Sequence, residues 1–449
     1  MSKNTPVNDY ITEYENSGVA RFHIPGHKGR ILQGLESRDI TEIKGADYLF
    51  EATGIIAKSE ELTSEIYGSA KTLYSTEGST LSIKTMLGII KTCIKDGGRT
   101  LVLAPRNVHK AFIDGCCLLD IDVKWIYTDR LTSGLCVSFI TPDNLKQTLA
   151  KCDKTPDAVY ITSPDYLGNM ADVEQISKVC KSFGVPLLVD NAHGAYLKFL
   201  EKSLHPLDMG ADMCVDSAHK TLPVYTGGSY LHIAKNSPKE WLQSAKETMS
   251  LFASTSPSYL IMASLDRCCG ELKNGLIDSI RACAKKVAEV ATTLNQLGWD
   301  TKTAEPLKLT VYPAKNGYSG DELADVLREH KIECEYSDTD CVVLMCSPFN
   351  DEKDYQRLVL ALNDTPKRLA EPIDDKPYLL QQAKVKMSIR QAYFSPHKKV
   401  AVDEARGRIC ARPVVSCQPS VPIVIPGEQI DDEIIKILKR YSIFYIDVI

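Results

Sequence analysis

A lysine lies in a mostly apolar part of the chain, within the stretch DSAHKTLP from Asp216 to Pro223. An ammonium group is costly to bury without a partner, so Lys220 either reaches solvent along its aliphatic stem or takes part in chemistry. Ser217, His219 and Thr221 flank it. A desolvated amine beside hydroxyl groups is what a Schiff base with pyridoxal 5'-phosphate (PLP) needs, because the hydroxyls can receive the phosphate.

A second reactive group is the acid in the apolar run LLVDNAHG, where Asp190 is followed three residues later by His193. A carboxylate at the end of such a strand requires a cationic or strongly donating partner, and a structural role fits it equally well. Asp190 and Lys220 are separated by about 30 residues, roughly one strand-helix-strand step in a parallel sheet. The two groups could therefore bracket one ring from neighbouring strand ends.

Two further stretches carry polar groups beside predicted strands. His109 follows the apolar run 99–105, and Ser79 and Thr80 follow Gly78 ahead of a helical pattern. Hydroxyls and backbone N–H groups at a helix N-terminus form a natural phosphate site. Taken singly, these residues also fit an ordinary helix N-cap and an unremarkable histidine.

The elements that must position these groups are strands alternating with helices between about residues 85 and 235. Short runs rich in Val, Ile and Leu are separated by helix-length amphipathic segments; the runs are 99–105, 123–128, 157–164, 186–193 and 212–219. This spacing predicts an α/β fold whose mostly parallel sheet is covered by helices on both faces. In such sheets, chemistry gathers beyond the carboxyl ends of the strands.

The length of 449 residues predicts two or three domains. Residues 257–297 have helical spacing and few breakers, which indicates one long connecting helix or two, with a boundary near Gly298. Beyond it, strand and helix patterns indicate a smaller α/β unit. We expect an N-terminal segment over 1–45, a large PLP-binding domain over 46–297 and a small C-terminal domain over 298–449.

These stretches also carry a resemblance to a known family. The chain resembles a short form of the ornithine, lysine and arginine decarboxylases, which are PLP-dependent enzymes of the aspartate-aminotransferase fold type, fold type I. The resemblance covers nearly the whole chain and rests on these motifs: FHIPGHKG (22–29), DITEIKGADYL (39–49), RNVHKAF (106–112), TSPDYLGNMADV (162–173), VDNAHGAY (189–196), DSAHKTLP (216–223), STSPSYLIMASLD (254–266) and IPGE (425–428).

The resemblance implies a role for each candidate residue. Lys220 would form the Schiff base, Asp190 would keep the ring nitrogen protonated, and His109 would stack on the ring. His193 would support Asp190 or the substrate amine. The phosphate would be bound by the hydroxyls of Ser79, Thr80 and Ser217 and by the imidazole ring of His219.

The same resemblance implies assembly. Ser254 and Thr255 would reach the phosphate of a neighbouring subunit, which implies a homodimer or a dimer-based oligomer. The alternative for these two residues is an N-cap ahead of the helix that starts near Pro257. His23 and His27, in the FHIPGHKG stretch, receive no derived role.

The implied activity is decarboxylation of an amino acid. The amino acid would displace Lys220 from the cofactor, lose CO2 and leave as an amine. A basic substrate (lysine, arginine or ornithine) and a place in polyamine biosynthesis are expected from the family. Other fold-type-I reactions, catalysed by aminotransferases, racemases and lyases, use the same scaffold and differ in which Cα bond stands perpendicular to the ring. A scaffold protein without turnover is a further alternative, but it would require loss of site residues that are all present.

The C-terminal region departs from the family pattern, which reads approximately G-R-I-x-A-E. Here the stretch is GRICAR, so Arg412 stands where an acid is expected. An arginine repels a basic substrate and can hold a carboxylate in a bidentate pair. Either Arg412 faces solvent and another acid such as Asp47 or Glu51 meets a basic substrate, or the substrate is neutral or acidic.

Composition limits the partners and the location. A formal net charge of -5, with 44% hydrophobic and 25% charged residues, gives no basic excess for nucleic acid or an anionic membrane. The lack of a leader pattern and of a long apolar run predicts a cytoplasmic protein. The 15 scattered cysteines include no C-x-x-C pair, which predicts reduced structural thiols and no metal site.

Overall fold

The computed structural model describes residues 4–30, 33–93, 98–127, 140–369, 383–417 and 420–449. Over these residues the helices are α1 (Pro6–Asn16), α2 (Ile55–Tyr67), α3 (Gly78–Thr92), α4 (Lys110–Leu119), α5 (Pro142–Ala150), α6 (Val173–Ser182), α7 (Ala218–Thr221), α8 (Lys239–Ser250), α9 (Tyr259–Glu271), α10 (Ile277–Gln296), α11 (Gly320–Glu329), α12 (Glu352–Asp364), α13 (Ile389–Phe394) and α14 (Asp432–Arg440). Within the same ranges, no helix has the length and apolarity needed to cross a membrane.

The strands are short, from two to five residues each. They are β1 (Lys71–Ser75), β2 (Leu101–Pro105), β3 (Asp122–Ile126), β4 (Ala158–Thr162), β5 (Leu187–Asp190), β6 (Met213–Asp216), β7 (Ser229–Ile233), β8 (Asp300–Lys302), β9 (Lys308–Tyr312), β10 (Tyr336–Ser337), β11 (Val342–Met345), β12 (Lys398–Ala401), β13 (Val414–Cys417), β14 (Ser420–Val424) and β15 (Tyr445–Val448). Single 3-10 turns are formed by Leu49–Glu51, Ala195–Phe199, Ala314–Asn316 and Val402–Glu404.

Seven of the strands form one sheet in the order β1-β7-β6-β5-β4-β2-β3. The pairs β2/β3 and β5/β6 are parallel, whereas β7 is antiparallel to both of its neighbours. Each of the five apolar runs predicted as strands overlaps one of the strands β2 to β6, although β3 begins one residue before its run; residue 128 of the second run lies outside the described residues. The predicted α/β class with a mostly parallel sheet is confirmed.

The connecting region 257–297 forms two helices, α9 and α10, and the break between them has a local cause. Asn274 and Gly275 leave helical geometry, and Gly275 has φ +104°. Only glycine adopts that conformation readily, so the sequence itself interrupts the helix here. The prediction of one helix or two is resolved in favour of two.

The backbone divides into two compact units. The first comprises 1–100, 157–159 and 173–277; the second comprises 101–156, 160–172 and 278–449. In the first unit β5, β6 and β7 are buried throughout; the parallel strands β5 and β6 are apolar up to the aspartate that ends each of them. The domain limits 1–45, 46–297 and 298–449 stay a prediction from the sequence.

The second unit contains a four-stranded antiparallel sheet in the order β10-β11-β9-β8. The helices α11 and α12 begin with capping boxes at Ser319 and Asp351, which satisfy backbone N–H groups of their first turns. The apolar face of α14 packs into a buried cluster with residues such as Val400, Cys410 and Ile446. This arrangement confirms α/β character in the C-terminal part of the chain.

A buried ion pair also lies within the second unit. Arg106, just after β2, donates to both carboxylate oxygens of Glu428 at 2.6 and 3.2 Å, and both side chains are 2% exposed. Glu428 accepts a further hydrogen bond from the backbone N–H of Ile425 at 2.9 Å. The IPGE motif is therefore fixed by a bidentate charge-assisted contact.

Candidate active site

The ends of β5 and β6 run side by side beyond the strands themselves. Asn191 N donates to Val215 O at 2.9 Å, and Ser217 N donates to Ala192 O at 3.2 Å. Asp190, the last residue of β5, is 2% exposed and accepts a hydrogen bond from Ala192 N at 3.1 Å. The parallel pairing thus places the segments that follow Asp190 and Asp216 next to each other, as the sequence spacing predicted.

Lys220 lies in α7, a single helical turn that starts just after β6. Its backbone N–H donates to Ser217 O at 3.0 Å, and its Nζ lies 2.9 Å from Nε2 of His193. His193 is buried, and Lys220 is half-buried. An ammonium at Lys220 donates to Nε2, which makes His193 the acceptor with its proton on Nδ1. The structure therefore gives Lys220 a basic partner, whereas the resemblance had linked His193 to Asp190 or to the substrate.

Two glycines join the lysine turn to the start of α3. Gly228 O accepts from the backbone N–H of His219 at 3.2 Å and lies 2.9 Å from His219 Nδ1. Gly227 O accepts from the N–H of Gly78 at 2.7 Å. A Cβ at Gly227, which has φ +99°, would lie 3.0 Å from Thr76 O, so this close approach of backbones requires glycine.

Ser79 and Thr80 occupy the first turn of α3. The helix begins at Gly78 with φ +71°, and its N-cap residue, Glu77, makes no side-chain capping hydrogen bond. The alternative that Ser79 or Thr80 is the N-cap is therefore wrong. A helix start without a side-chain cap leaves N–H groups and the positive end of the helix dipole for an anion.

Two hydroxyls beside Lys220 test whether these residues fit the cofactor. Among the described residues, Ser217 Oγ and Thr221 Oγ1 are buried side-chain atoms without a hydrogen-bond partner. Leaving such a group unsatisfied costs about 1–3 kcal/mol. Oxygen atoms of a bound phosphate would satisfy them, and the nearby amine and carboxylate match the other two groups that PLP requires. The residues present fit PLP.

The family resemblance did not include Thr221 among the residues implied to bind the phosphate, although its hydroxyl was noted beside Lys220 in the DSAHKTLP stretch. Its position next to Lys220 was the one signal that the sequence offered. Burial without a partner is visible only once the turn is folded.

Ser254 and Thr255 are exposed in the loop before α9. Ser254 N donates to Glu77 Oε1 at 2.7 Å, so this loop is attached to the start of α3 in the same chain. The N-cap of α9 is Ser258, whose hydroxyl accepts from Ile261 N. The N-cap alternative for Ser254 and Thr255 is wrong, and their contact with a neighbouring subunit stays a prediction.

His109 and Arg412 both belong to the second unit. His109 is the N-cap of α4, and its Nδ1 accepts from Ala111 N at 3.0 Å. Arg412 donates through Nη1 to the carbonyl oxygens of Ala411, at 3.0 Å, and of Tyr393, and its Cζ lies 4.1 Å from the centre of the Tyr393 ring. The roles of His109 at the ring and of Arg412 at the substrate stay predictions.

The acids considered as substrate partners have local explanations. The carboxylate of Asp47 accepts from the N–H groups of Thr53, Gly54, Ile56 and Ala57 around the start of α2. Burial raises its pKa, but these backbone hydrogen bonds outweigh burial and hold it below the ordinary value. Asp47 thus serves the helix N-terminus, and Glu51 is exposed on a 3-10 turn.

The two histidines of the FHIPGHKG stretch contact side chains near the N-terminus. His23 Nε2 lies 2.6 Å from the Tyr14 hydroxyl, and His27 Nε2 lies 3.2 Å from Asp39 Oδ2. These contacts hold the segment to α1 and to the DITEIKGADYL stretch. They give neither histidine a catalytic role.

With this geometry in place, comparison with known proteins identifies the family. A model of the Orn/Lys/Arg decarboxylase major domain matches residues 5–296, and a model of the C-terminal domain of the same family matches residues 376–445. The chain belongs to the Orn/Lys/Arg decarboxylase family. The resemblance inferred from the motifs is confirmed.

Individual members of the family and of the fold type agree with this assignment. The arginine decarboxylase of Bacillus subtilis is 29% identical over 469 residues, covering 96% of this chain and 92% of the relative. The lysine decarboxylase LdcF of Francisella novicida shares the fold with a TM-score of 0.81 at 19% identity, covering all of this chain and 81% of that one. A solved structure of SPT with PLP is similar at a TM-score of 0.55 and 15% identity. The predicted fold type is confirmed.

Proposed function

We propose that this family member is a PLP-dependent decarboxylase of a basic amino acid. The observation that carries the proposal is the contact between the Lys220 amine and the His193 imidazole, in the turn that follows β6 and beside the end of β5, where Asp190 lies. The arginine and lysine decarboxylases among its relatives support the reaction and the substrate class.

The residues of the chain divide the work as follows. Bound PLP supplies a protonated pyridine ring that withdraws the electron pair left at Cα when CO2 departs. The carboxylate of Asp190, buried at the end of β5, favours the protonated form of the ring nitrogen. Lys220 supplies the amine that binds the cofactor. His193 holds or accepts a proton at Nε2 when the bond between this amine and the cofactor breaks or forms again.

The phosphate is proposed to lie where hydroxyls and backbone donors converge. Ser217 Oγ and Thr221 Oγ1, beside Lys220, are buried hydroxyls without a partner among the described residues. The first turn of α3 adds Ser79 and the N–H groups of the helix start. Anchoring the phosphate fixes the cofactor's orientation relative to Lys220, which is a condition for directed bond cleavage.

Arginine is the first candidate substrate, because several relatives that match along nearly their full length are named arginine decarboxylases. The guanidinium of Arg412 already contacts two carbonyl oxygens and an aromatic ring. These contacts support a structural role for Arg412. They weigh against the alternative in which it selects an acidic substrate.

The proposal is tested with the purified protein after incubation with PLP. Wild type should give an absorbance band of a protonated Schiff base that borohydride fixes to the chain, and it should release CO2 from arginine, lysine or ornithine in a screen of all proteinogenic amino acids. Lys220→Ala should lose the borohydride-fixed cofactor. Asp190→Ala should keep bound PLP but lose CO2 release by about two orders of magnitude or more, because the ring nitrogen loses its proton.

Lys178→Ala is the matched control, since Lys178 pairs with Glu174 on the exposed face of α6. It should behave as wild type. If Lys220→Ala still carries borohydride-fixed PLP, the assignment of the lysine is wrong. If wild type binds PLP but releases CO2 from no amino acid, another fold-type-I reaction replaces decarboxylation.

We further propose that the enzyme acts as a homodimer, with Ser254 and Thr255 facing the partner's phosphate. The family resemblance of the STSPSY stretch and the exposure of this loop support the proposal.

A further inference from the structure

A buried polar network lies directly behind the two strand ends of the proposed site. Asp216, the last residue of β6, is fully buried, and its Oδ2 lies 3.0 Å from Nε2 of His205 and 3.2 Å from Nε2 of His232. Its other oxygen, Oδ1, accepts from Asn191 Nδ2 at 2.6 Å. Asn191 and Asp216 are the immediate chain neighbours of Asp190 and Ser217.

The side-chain contact between Asn191 and Asp216 lies between two backbone hydrogen bonds that join the same two segments. On one side of it Asn191 N donates to Val215 O, and on the other side Ser217 N donates to Ala192 O. The side-chain bond therefore joins the last residue of β6 to the first residue after β5. It ties the segment carrying Asp190 to the segment carrying Lys220.

The carboxylate is anchored from the opposite side by strands of the same sheet. His232 lies on β7 opposite Cys214 of β6, and its Nδ1 lies 2.8 Å from Thr72 Oγ1 on β1. Burial lowers the pKa of His232, so the ring is neutral, with Nε2–H donating to Asp216 and Nδ1 accepting from Thr72. Asp216 is thereby fixed by β1 and β7 as well as by its own strand.

The charge of Asp216 is stabilised where it lies. Burial raises its pKa, but the charge and hydrogen bond of His205 and the hydrogen bond of His232 reverse this effect and hold the pKa well below the ordinary value. A buried carboxylate with three side-chain donors is a rigid acceptor. The network can therefore hold Asn191 in one place.

Asn191 is fitted closely on its other face too. A Cβ added at Gly194 would lie 2.0 Å from Asn191 Oδ1, and Gly194 N donates to Asn191 O at 2.7 Å. Gly194 directly follows His193, the partner of Lys220. A shift of Asn191 would thus move both Asp190, before it, and the turn that carries His193.

We propose that the amide-carboxylate bridge between Asn191 and Asp216, anchored by His205 and His232, positions Asp190 and Lys220 on the same cofactor. The inference rests on the proposed function, to which it adds positioning residues that touch neither substrate nor cofactor. The bridge requires one hydrogen-bond donor and one acceptor at positions 191 and 216, and either position can supply either one.

The test exchanges the two ends of the bridge. Asn191→Asp sets two carboxylates face to face, which repel at pH 8. Asp216→Asn can keep a bridge. The new amide oxygen accepts from both histidines, and the new amide nitrogen donates to Oδ1 of Asn191 after the Asn191 amide turns. This Oδ1 is buried without a partner in the described residues. In the double variant the new carboxylate at position 191 accepts from the new amide at position 216, so the bridge is restored with its direction reversed.

We expect Asn191→Asp to lower kcat about tenfold or more at nearly unchanged KM, because displacement of catalytic groups lowers turnover steeply. Asp216→Asn and the double variant should both stay within about threefold of wild type, since each keeps a hydrogen bond across the bridge. Hydrogen exchange on the cofactor-free protein should show faster exchange over 190–194 and 217–221 in Asn191→Asp, and recovery in the double variant.

Asp266→Asn is the matched control, because Asp266 is also fully buried and accepts from Ser59 and Asn8 without contacting either turn. It should lower the melting temperature while leaving kcat and exchange over 190–194 unchanged.

The bridge is refuted if Asn191→Asp matches wild type in kcat and exchange, or if the double variant is no better than Asn191→Asp. A metal ion bound at one per chain would also overturn it, since His205, Asp216 and His232 would then be ligands. If wild type releases no CO2, the proposed function fails, whereas the exchange data still decide on the bridge.

Discussion

The loop after β4 contains a carboxyl group whose burial should make stability depend on pH. Asp165 is 4% exposed, and burial raises its pKa to about 6. Its Oδ1 accepts from Leu167 N at 3.0 Å and from Asn169 N at 2.8 Å, and its Oδ2 accepts from Asn169 Nδ2 at 2.9 Å. These bonds favour the ionised form but do not outweigh desolvation.

The sign follows from the direction of the shift. The folded state binds the proton of Asp165 more tightly than the unfolded chain, whose ordinary pKa is 3.8. The group therefore contributes stability that is fully present below pH 3.8 and is lost as the pH rises through about 6. For this pair of pKa values, the contribution is about 1.4 kcal/mol at pH 5 and close to zero at pH 8.

Asp165→Asn removes this titration while keeping an acceptor for both backbone N–H groups. Urea unfolding of wild type and variant at pH 5, 6, 7 and 8 gives the difference in the free energy of unfolding. We expect that difference to shift by about 1.4 kcal/mol in favour of the variant between pH 5 and pH 8. Asp153→Asn, at an exposed carboxyl, is the control and should show no such shift. Parallel curves for wild type and Asp165→Asn would refute the reasoning.

Two further predictions concern the second unit and assembly. Glu428→Gln leaves Arg106 charged and buried, so the free energy of unfolding measured in urea should fall by about 3–5 kcal/mol. The control is Glu433→Gln, in an exposed pair with Lys436, which should lower it by less than about 1 kcal/mol. Equal losses would contradict the burial argument. The proposed homodimer predicts twice the chain mass in sedimentation at micromolar concentration, and an active monomer would exclude a site shared between subunits.

The alternating pattern of the sequence predicted β2 to β6 well, because buried parallel strands are nearly continuous apolar runs. VDNAHG and DSAHKT follow such runs, so their placement at neighbouring strand ends followed from the fold class alone. The kink between α9 and α10 was less predictable, since apolar spacing continues across it. Only Asn274 and Gly275 marked the break, and a single glycine within a helical pattern often leaves the helix intact.

The site was predictable in its residue types but less so in its contacts. Lys220 and Asp190 stand out because a charge in an apolar context demands a chemical explanation. The contact between His193 and Lys220 has no sequence signal of its own, because it depends on how far the turn after β5 folds back toward the turn after β6. The alternative N-cap roles for Ser79 and Ser254 failed because the sequence did not fix where each helix begins: α3 begins one residue before Ser79, and Ser258 caps α9 in place of Ser254.

Asp216 shows why local sequence undervalues a positioning group. It lies in the same DSAHKTLP stretch as Lys220, but its partners His205, His232 and Asn191 come from a loop, a neighbouring strand and a turn that only the sheet brings together. A buried carboxylate can persist only with such donors, because desolvation otherwise neutralises it. Two acids at the ends of neighbouring strands thus have different duties: Asp190 is proposed to face the cofactor, and Asp216 holds the backbone that presents it.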